Sequence, residues 1–249
     1  MFPIRDVNPT SIRPVITWAL IAVNAVVFFL IQPQDELGAL EFAYRHAAIA
    51  CEITTGEVLD ITEAVRGQCI EASLGEQIFP DKSIWLSVAA SMFLHGGIAH
   101  LLFNMWSLWI FGNNVEEAFG GLGYLFVYLA AGLAATAGFV VANPQETMPL
   151  LGASGAIAGV MGSYLVLFPR HKVMTLVFVW IVAIPATVFL GIWFLSQFLL
   201  AGQESGIAWE AHVAGFLFGV LITLPFRRLL LARIGEGNEP VPMVAYDRR

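Results

Sequence analysis

Long apolar runs, interrupted by a few isolated polar residues, set the pattern of this chain. An α-helix needs about 20 mainly apolar residues to cross the hydrocarbon of a bilayer. Six stretches qualify, at approximately 14–31, 98–114, 122–142, 150–168, 173–200 and 207–226. The first opens at Pro14, and it is too long, and too poorly followed by a small-residue cleavage site, to be a signal peptide. The second is the least hydrophobic, because it carries His100 and Asn104. The fifth is long and contains Pro185, which predicts a kinked or tilted crossing. Alternating barrel patterning is absent, so helices are the remaining way to satisfy the backbone in lipid. The expected fold is therefore all-α, a polytopic membrane protein with a six-transmembrane-helix bundle over 14–226, a short N-terminus over 1–13 and a tail over 227–249.

Composition strengthens the membrane reading. The chain is 58% hydrophobic and 12% charged, against roughly 45–50% and 25% for soluble domains. A net charge of −7 offers no basic surface, which excludes nucleic acid as a partner. With six spans both termini share a side, and nine of the twelve Lys and Arg residues fall there, among them Arg5, Arg13, Arg170, Lys172, Arg227 and Arg228. By the positive-inside rule both termini are expected to be cytoplasmic. The loop over 32–84 is then external. It holds about half of the acidic residues and both cysteines, Cys51 and Cys69, for which an oxidising compartment allows a disulfide, with two independent thiols as the alternative. The segment after about 235 is polar and proline-containing, and reads as disordered.

Ionisable and polar groups at membrane depth mark function by default. Ser154 lies in Gly152-Ala153-Ser154-Gly155, and His212 follows 58 residues later in Ala211-His212-Val213-Ala214-Gly215. A serine and a histidine are the two parts of an activated nucleophile. Gly152, Gly155, Gly159 and Gly162 in the fourth stretch, and Gly215 and Gly219 in the sixth, are spaced to let helix backbones approach closely. Close packing of these faces would bring Ser154 to His212. Taken alone, Ser154 reads as a packing serine, whereas a buried imidazole must find a partner.

In the second stretch His100 and Asn104 lie one helical turn apart on one face. Both donate hydrogen bonds, which suits an oxyanion site. On these two residues alone, hydrogen bonding between helices is the stronger reading. His95 lies about 140° around the helix from His100, so the two are not expected to share one ligand. The two histidines do not have the spacing of a zinc helix and no glutamate lies between them, so no metal is expected.

With these residues assembled, the chain resembles the rhomboid family of intramembrane serine proteases over roughly 14–226. The matching features, in the family's order, are His95, His100 and Asn104, then the GxSG serine at Ser154, then Ala211-His212 with Gly215 and Gly219. The resemblance implies a Ser–His dyad without an acidic third member, with Ser154 as nucleophile and His212 as base. It implies an oxyanion site of His100, Asn104 and the Ser154 backbone N–H, with His95 organising nearby polar groups and water. Glu116 matches an acidic position that tethers the loop after the second span. The implied substrates are single-span or multi-span membrane proteins, cut near the external membrane boundary, with the lipid bilayer as surroundings and no cofactor. Two positions depart from the pattern. Trp85-Leu86 stands where many relatives have Trp-Arg, and Ala158 stands where some place a tyrosine that stacks on the catalytic histidine.

Two rivals compete with a protease. A catalytically silent rhomboid-like binder of client helices usually lacks the serine or the histidine, and this chain has both. A small transporter would call for an inverted repeat, which the sequence does not contain. An arginine-rich presequence is absent, so a bacterial inner membrane is the expected location.

Overall fold

A computed structural model describes residues 1–70, 75–199 and 206–235. The chain opens with strand β1 (Phe2–Asp6) and helix α1 (Val15–Val26), which continues as a π turn over Val27–Ile31. Three short helices follow in the loop region, α2 (Glu36–His46), α3 (Ala50–Thr55) and α4 (Ile61–Arg66), and then α5 (Ile84–Ser91). The main helical body consists of α6 (Ile98–Phe119), α7 (Gly121–Ala142), α8 (Ser154–Leu167), α9 (Ala186–Leu199) and α10 (Trp209–Thr223), the last continuing through a 3-10 turn into α11 (Arg227–Arg233). Residues 200–205, and the segment beyond 235 that the sequence predicts to be disordered, lie outside the described residues.

Helix α8 is the core. Every residue from Gly155 to Tyr164 is buried, the signature of a helix enclosed on all sides. Its small residues allow this. A methyl group on Gly219 of α10 would collide with the carbonyl of Gly159, and one on Gly215 with the carbonyl of Gly155. Gly155 and Gly159 meet Ala135 and Ala131 of α7 in the same way. Backbones in such proximity gain dispersion contacts that larger side chains would prevent.

Among the described residues, two helices are long and apolar enough to cross a membrane, Gly121–Ala142 and the continuous Trp209–Arg233. Val15–Ile31, Ser154–Leu167 and Ala186–Leu199 are shorter apolar helices. The fifth apolar stretch differs from expectation. Its first half is a hairpin, β2 (Lys172–Val177) and β3 (Trp180–Pro185), with β1 pairing antiparallel to the free edge of β2. Val173, Thr175, Val177, Val179, Ile181, Val182 and Ile184 supply the β-branched side chains that suit strands. Hydropathy over a window is the same for such a run and for a helix, so it does not separate the two. Pro185 does not kink a helix. It ends β3, and α9 starts at the next residue.

The described residues of the region over 32–84 are folded and tied to the helical body. A disulfide joins Cys51 to Cys69. Lys82 and Glu52 form an ion pair at 2.6 Å with both side chains 1% exposed. Ala48 donates its N–H to Ser91 Oγ at 2.6 Å and accepts from the N–H of Leu150 at 2.8 Å, while the N–H of Cys51 reaches the carbonyl of Glu146 at 3.0 Å. The bond to Ser91 fastens the loop to α5, and those to Leu150 and Glu146 fasten it to the connection between α7 and α8, just before Ser154.

Candidate active site

Ser154 is the first residue of α8, and the segment before it explains its presentation. Gly152 has a φ of 129°, a region open to glycine and strained for other residues. Its N–H is held by the carbonyl of Ser91 at 2.9 Å. A Cβ at this position would lie 2.8 Å from His100 Nε2 and 3.4 Å from Ser154 Oγ, so the imidazole and the hydroxyl border one small volume that glycine keeps open. Ala153 places no side-chain cap on α8, which leaves N–H groups of the first turn without intrahelical acceptors.

His212 lies in the first turn of α10, and its Nε2 is 2.8 Å from Ser154 Oγ. The packing of Gly215 and Gly219 on α8 sets this distance, since any side chain there would push the helices apart. The Nδ1 of His212 is 2.8 Å from Gln197 Oε1 on α9. Trp193, one turn before Gln197, stands with its ring centroid 6.1 Å from that of His212 at an angle of 34°. Ala158, where some relatives carry a stacking tyrosine, is fully buried and presents only a methyl group. The face of the imidazole is contacted from α9 instead.

Nothing in sequence spacing alone joins Gln197 or Trp193 to His212. A signal existed, because Gln197 is a polar residue inside an apolar helix, the feature that drew attention to Ser154 and His212. Its four-residue spacing from Trp193 puts both on one face.

Asn104 is buried in α6, and among the described residues its Nδ2 has no hydrogen-bond partner. His100, one turn earlier, accepts a long 3.4 Å contact at Nδ1 from the N–H of Gly96, which leaves Nε2 as the donor facing Gly152 and Ser154. A cavity of about 1150 Å³ connects these groups, lined by Ser154, His212, His100, Asn104 and Trp193.

His95 departs from the helical-wheel expectation. The chain between Ser91 and Ile98 is not helical, so the 140° separation does not apply. The rings of His95 and His100 instead pack edge to face, with centroids 5.1 Å apart. Gln32, after the first helix, fixes His95 by exchanging two 3.0 Å bonds with its backbone N–H and carbonyl. Glu116 also acts elsewhere than expected. It does not tether the loop that follows α6, but accepts from the N–H groups of Ile16 and Thr17 at 2.9 and 2.8 Å, capping α1. The metal-like cluster among the described residues, Cys51, Glu63 and Cys69, has both sulfurs bonded to each other, so neither is a thiolate ligand.

A family model described as the Rhomboid domain matches residues 82–229. The chain is 39% identical over 92 residues to rhomboid protease GluP of Bacillus subtilis, covering 37% of this chain and 18% of that protein. It is 30% identical over 148 residues to the mitochondrial Rhomboid protein 1 of Saccharomyces cerevisiae, covering 55% and 40%. It is 37% identical over 81 residues to putative rhomboid protease YdcA of Bacillus subtilis, covering 32% and 40%. The matches span less than half the length of these relatives. The matched region holds the serine, the histidine and the cavity between them, and the chain belongs to the rhomboid family of membrane proteins.

Proposed function

We propose that this protein is an intramembrane serine endopeptidase that cuts transmembrane segments of other membrane proteins near the external membrane boundary. The carrying observation is the 2.8 Å approach of His212 Nε2 to Ser154 Oγ at one wall of a large cavity. In the forward step His212 Nε2 takes the serine proton while Oγ bonds to the substrate carbonyl carbon. The resulting oxyanion accepts hydrogen bonds from Asn104 Nδ2, His100 Nε2 and the Ser154 N–H. The C–N bond then breaks, the leaving amine takes the proton from His212, and an acyl-serine remains. Water, deprotonated by the same Nε2, attacks the ester carbonyl and releases the acid and the free serine. His95 holds His100 in place through ring contact. Gly152, Gly155 and Gly215 keep the three walls close.

The reading extends to the membrane arrangement. The π-extended α1, α6, α7, α8, α9 and α10 form a six-span bundle over 14–226, with both termini in the cytoplasm of a bacterium and the loop over 32–84 outside its inner membrane. Outward-facing Leu30, Leu102, Val141, Leu195 and Leu221 are all at least 60% exposed, which suits contact with lipid. Helix α8 has 14 residues, too few for about 30 Å of hydrocarbon. Its start at Ser154 would therefore lie below the surface, in a cavity that water reaches from outside.

The test is cleavage of a single-span model substrate by purified wild type, Ser154→Ala and His212→Ala in detergent micelles. Cutting by wild type alone, at the external boundary of the span, is the expected result. Folded wild type that binds substrate helices without cutting any would favour a client-binding protein, and equal cutting by all three would point to a contaminant.

A further inference from the structure

We infer that Gln197 is a positioning residue for the reaction, a neutral third member that sets the tautomer and orientation of His212. This rests on the proposed roles of Ser154 and His212. A neutral imidazole has one N–H and one lone pair, and which nitrogen carries the proton depends on the partner at the other. Here the partner at Nδ1 is an amide, so its own orientation decides the matter.

The surroundings of Gln197 fix that orientation. Its Nε2 donates to the carbonyl of Trp193 at 3.1 Å and approaches Ser196 Oγ at 3.4 Å. Turning the amide over would set Oε1 against the Trp193 carbonyl and an NH2 group against His212. The oxygen therefore faces His212 Nδ1 at 2.8 Å and accepts its proton. With the proton on Nδ1, the lone pair of Nε2 points at the Ser154 hydroxyl, the form a general base needs. The other tautomer would oppose two lone pairs at Nδ1, and its Nε2–H could only donate to the Ser154 oxygen instead of taking the hydroxyl proton.

Burial makes the arrangement effective. Gln197 is 4% exposed, so water competes little for either end of the amide. A carboxylate in its place would be expensive to desolvate without a cation. The amide supplies the acceptor without a net charge. As His212 takes the serine proton, the Nδ1–H bond to Gln197 becomes charge-assisted and strengthens. Trp193 lies one turn earlier on the same face of α9 and limits the tilt of the ring. The imidazole is thus held at its nitrogen and at its face by one helix that carries neither the serine nor the histidine.

The experiment compares full-length wild type with Gln197→Met, which keeps the shape and removes the acceptor, and Gln197→Glu, which restores an oxygen at the same reach. A cooperative thermal transition in micelles establishes that each variant is folded, with Gln197→Glu at a lower midpoint because its carboxyl is buried. On the single-span substrate, Gln197→Met is expected to lose about 10- to 100-fold in kcat, by analogy with the loss when a group orienting a metal-binding histidine is removed. KM stays the same, and Gln197→Glu recovers most of the loss. Nitrogen NMR of 15N-histidine-labelled protein should find the His212 proton on Nδ1 in the wild type and shared between the nitrogens in Gln197→Met. An unchanged kcat in folded Gln197→Met, or a wild-type proton on Nε2, overturns the proposal. If folded wild type cuts nothing, the protease reading falls, while the NMR comparison still decides what Gln197 does to His212.

Discussion

Thr17 gives both its backbone N–H and its hydroxyl to the Glu116 carboxylate, at 2.8 and 2.7 Å, across 99 residues of chain. Helix α1 has no side-chain cap of its own, since Pro14 occupies that position. A buried carboxylate on α6 supplies the acceptors instead and complements the positive end of the α1 dipole. The bond thereby sets the height of α1 against α6, the helix that carries His100 and Asn104.

Replacing Glu116 should destabilise the fold. Glu116→Ala strands the N–H groups of Ile16 and Thr17 away from water, at a cost of roughly 2–3 kcal/mol. Glu117 also accepts from the N–H and hydroxyl of Ser11, but in an exposed setting, so Glu117→Ala should cost about 1 kcal/mol or less. Unfolding of the two variants in the same micelles measures the difference, and equal losses would refute a capping role for Glu116.

Asn104→Ala separates an oxyanion donor from a residue that binds helices together. With no partner at Nδ2 among the described residues, the side chain contributes little interhelical hydrogen bonding, so the unfolding midpoint should hardly move. Loss of one oxyanion donor typically lowers kcat by about 10²–10³. Steady-state kinetics and a thermal scan on one preparation decide between the roles. A lower midpoint with normal kcat would make Asn104 structural.

Much of this site is legible in sequence because polar side chains are rare in apolar helices. Ser154 and His212 stand out for that reason, and the glycines beside them announce the close approach that joins them. His100 and Asn104 are readable because helical spacing alone puts them on one face. The misreadings have physical causes. The β2–β3 hairpin is as apolar as a span, and only its β-branched content hints otherwise. His95 lies in a non-helical link, where a helical wheel has no meaning. The partners of Glu116 and the contact of Gln197 with His212 arise from tertiary packing, which periodicity does not encode.

Gly219 and Gly191 offer a contrast between a required and an optional glycine. A methyl on Gly219 meets the Gly159 backbone, which cannot move aside as a side chain would, whereas one on Gly191 meets nothing within 4 Å among the described residues. Gly219→Ala should cost about 1–3 kcal/mol by overpacking. It should also separate α10 from α8, and a shift of about 1 Å between reacting groups is enough to lower turnover about 10²-fold. Gly191→Ala should leave kcat unchanged. Parallel assays of stability and cleavage test this, and a fully active Gly219→Ala would show that the helix spacing does not set the dyad distance.

Asp6 should make the stability of the N-terminal strand depend on pH. Burial is the main influence on its carboxyl and pushes it from 3.8 up to about 7, against the opposing effects of the Tyr164 hydroxyl, which donates to it at 3.0 Å, and of Arg5. Because the folded carboxyl binds its proton more tightly than the unfolded one, the folded state holds more protons between these two values. Stability from this residue is therefore fully present below about pH 4, declines as pH rises through 7, and is level above. Asp6→Asn keeps an acceptor for Tyr164 and removes the titration. Its unfolding midpoint should match the wild type at low pH and exceed it at pH of about 8. Subtracting the two curves cancels the histidines and the other carboxyls, which both proteins share. A variant less stable than wild type at the higher pH would mean that the ionised carboxylate, rather than its neutral form, holds β1 against α8.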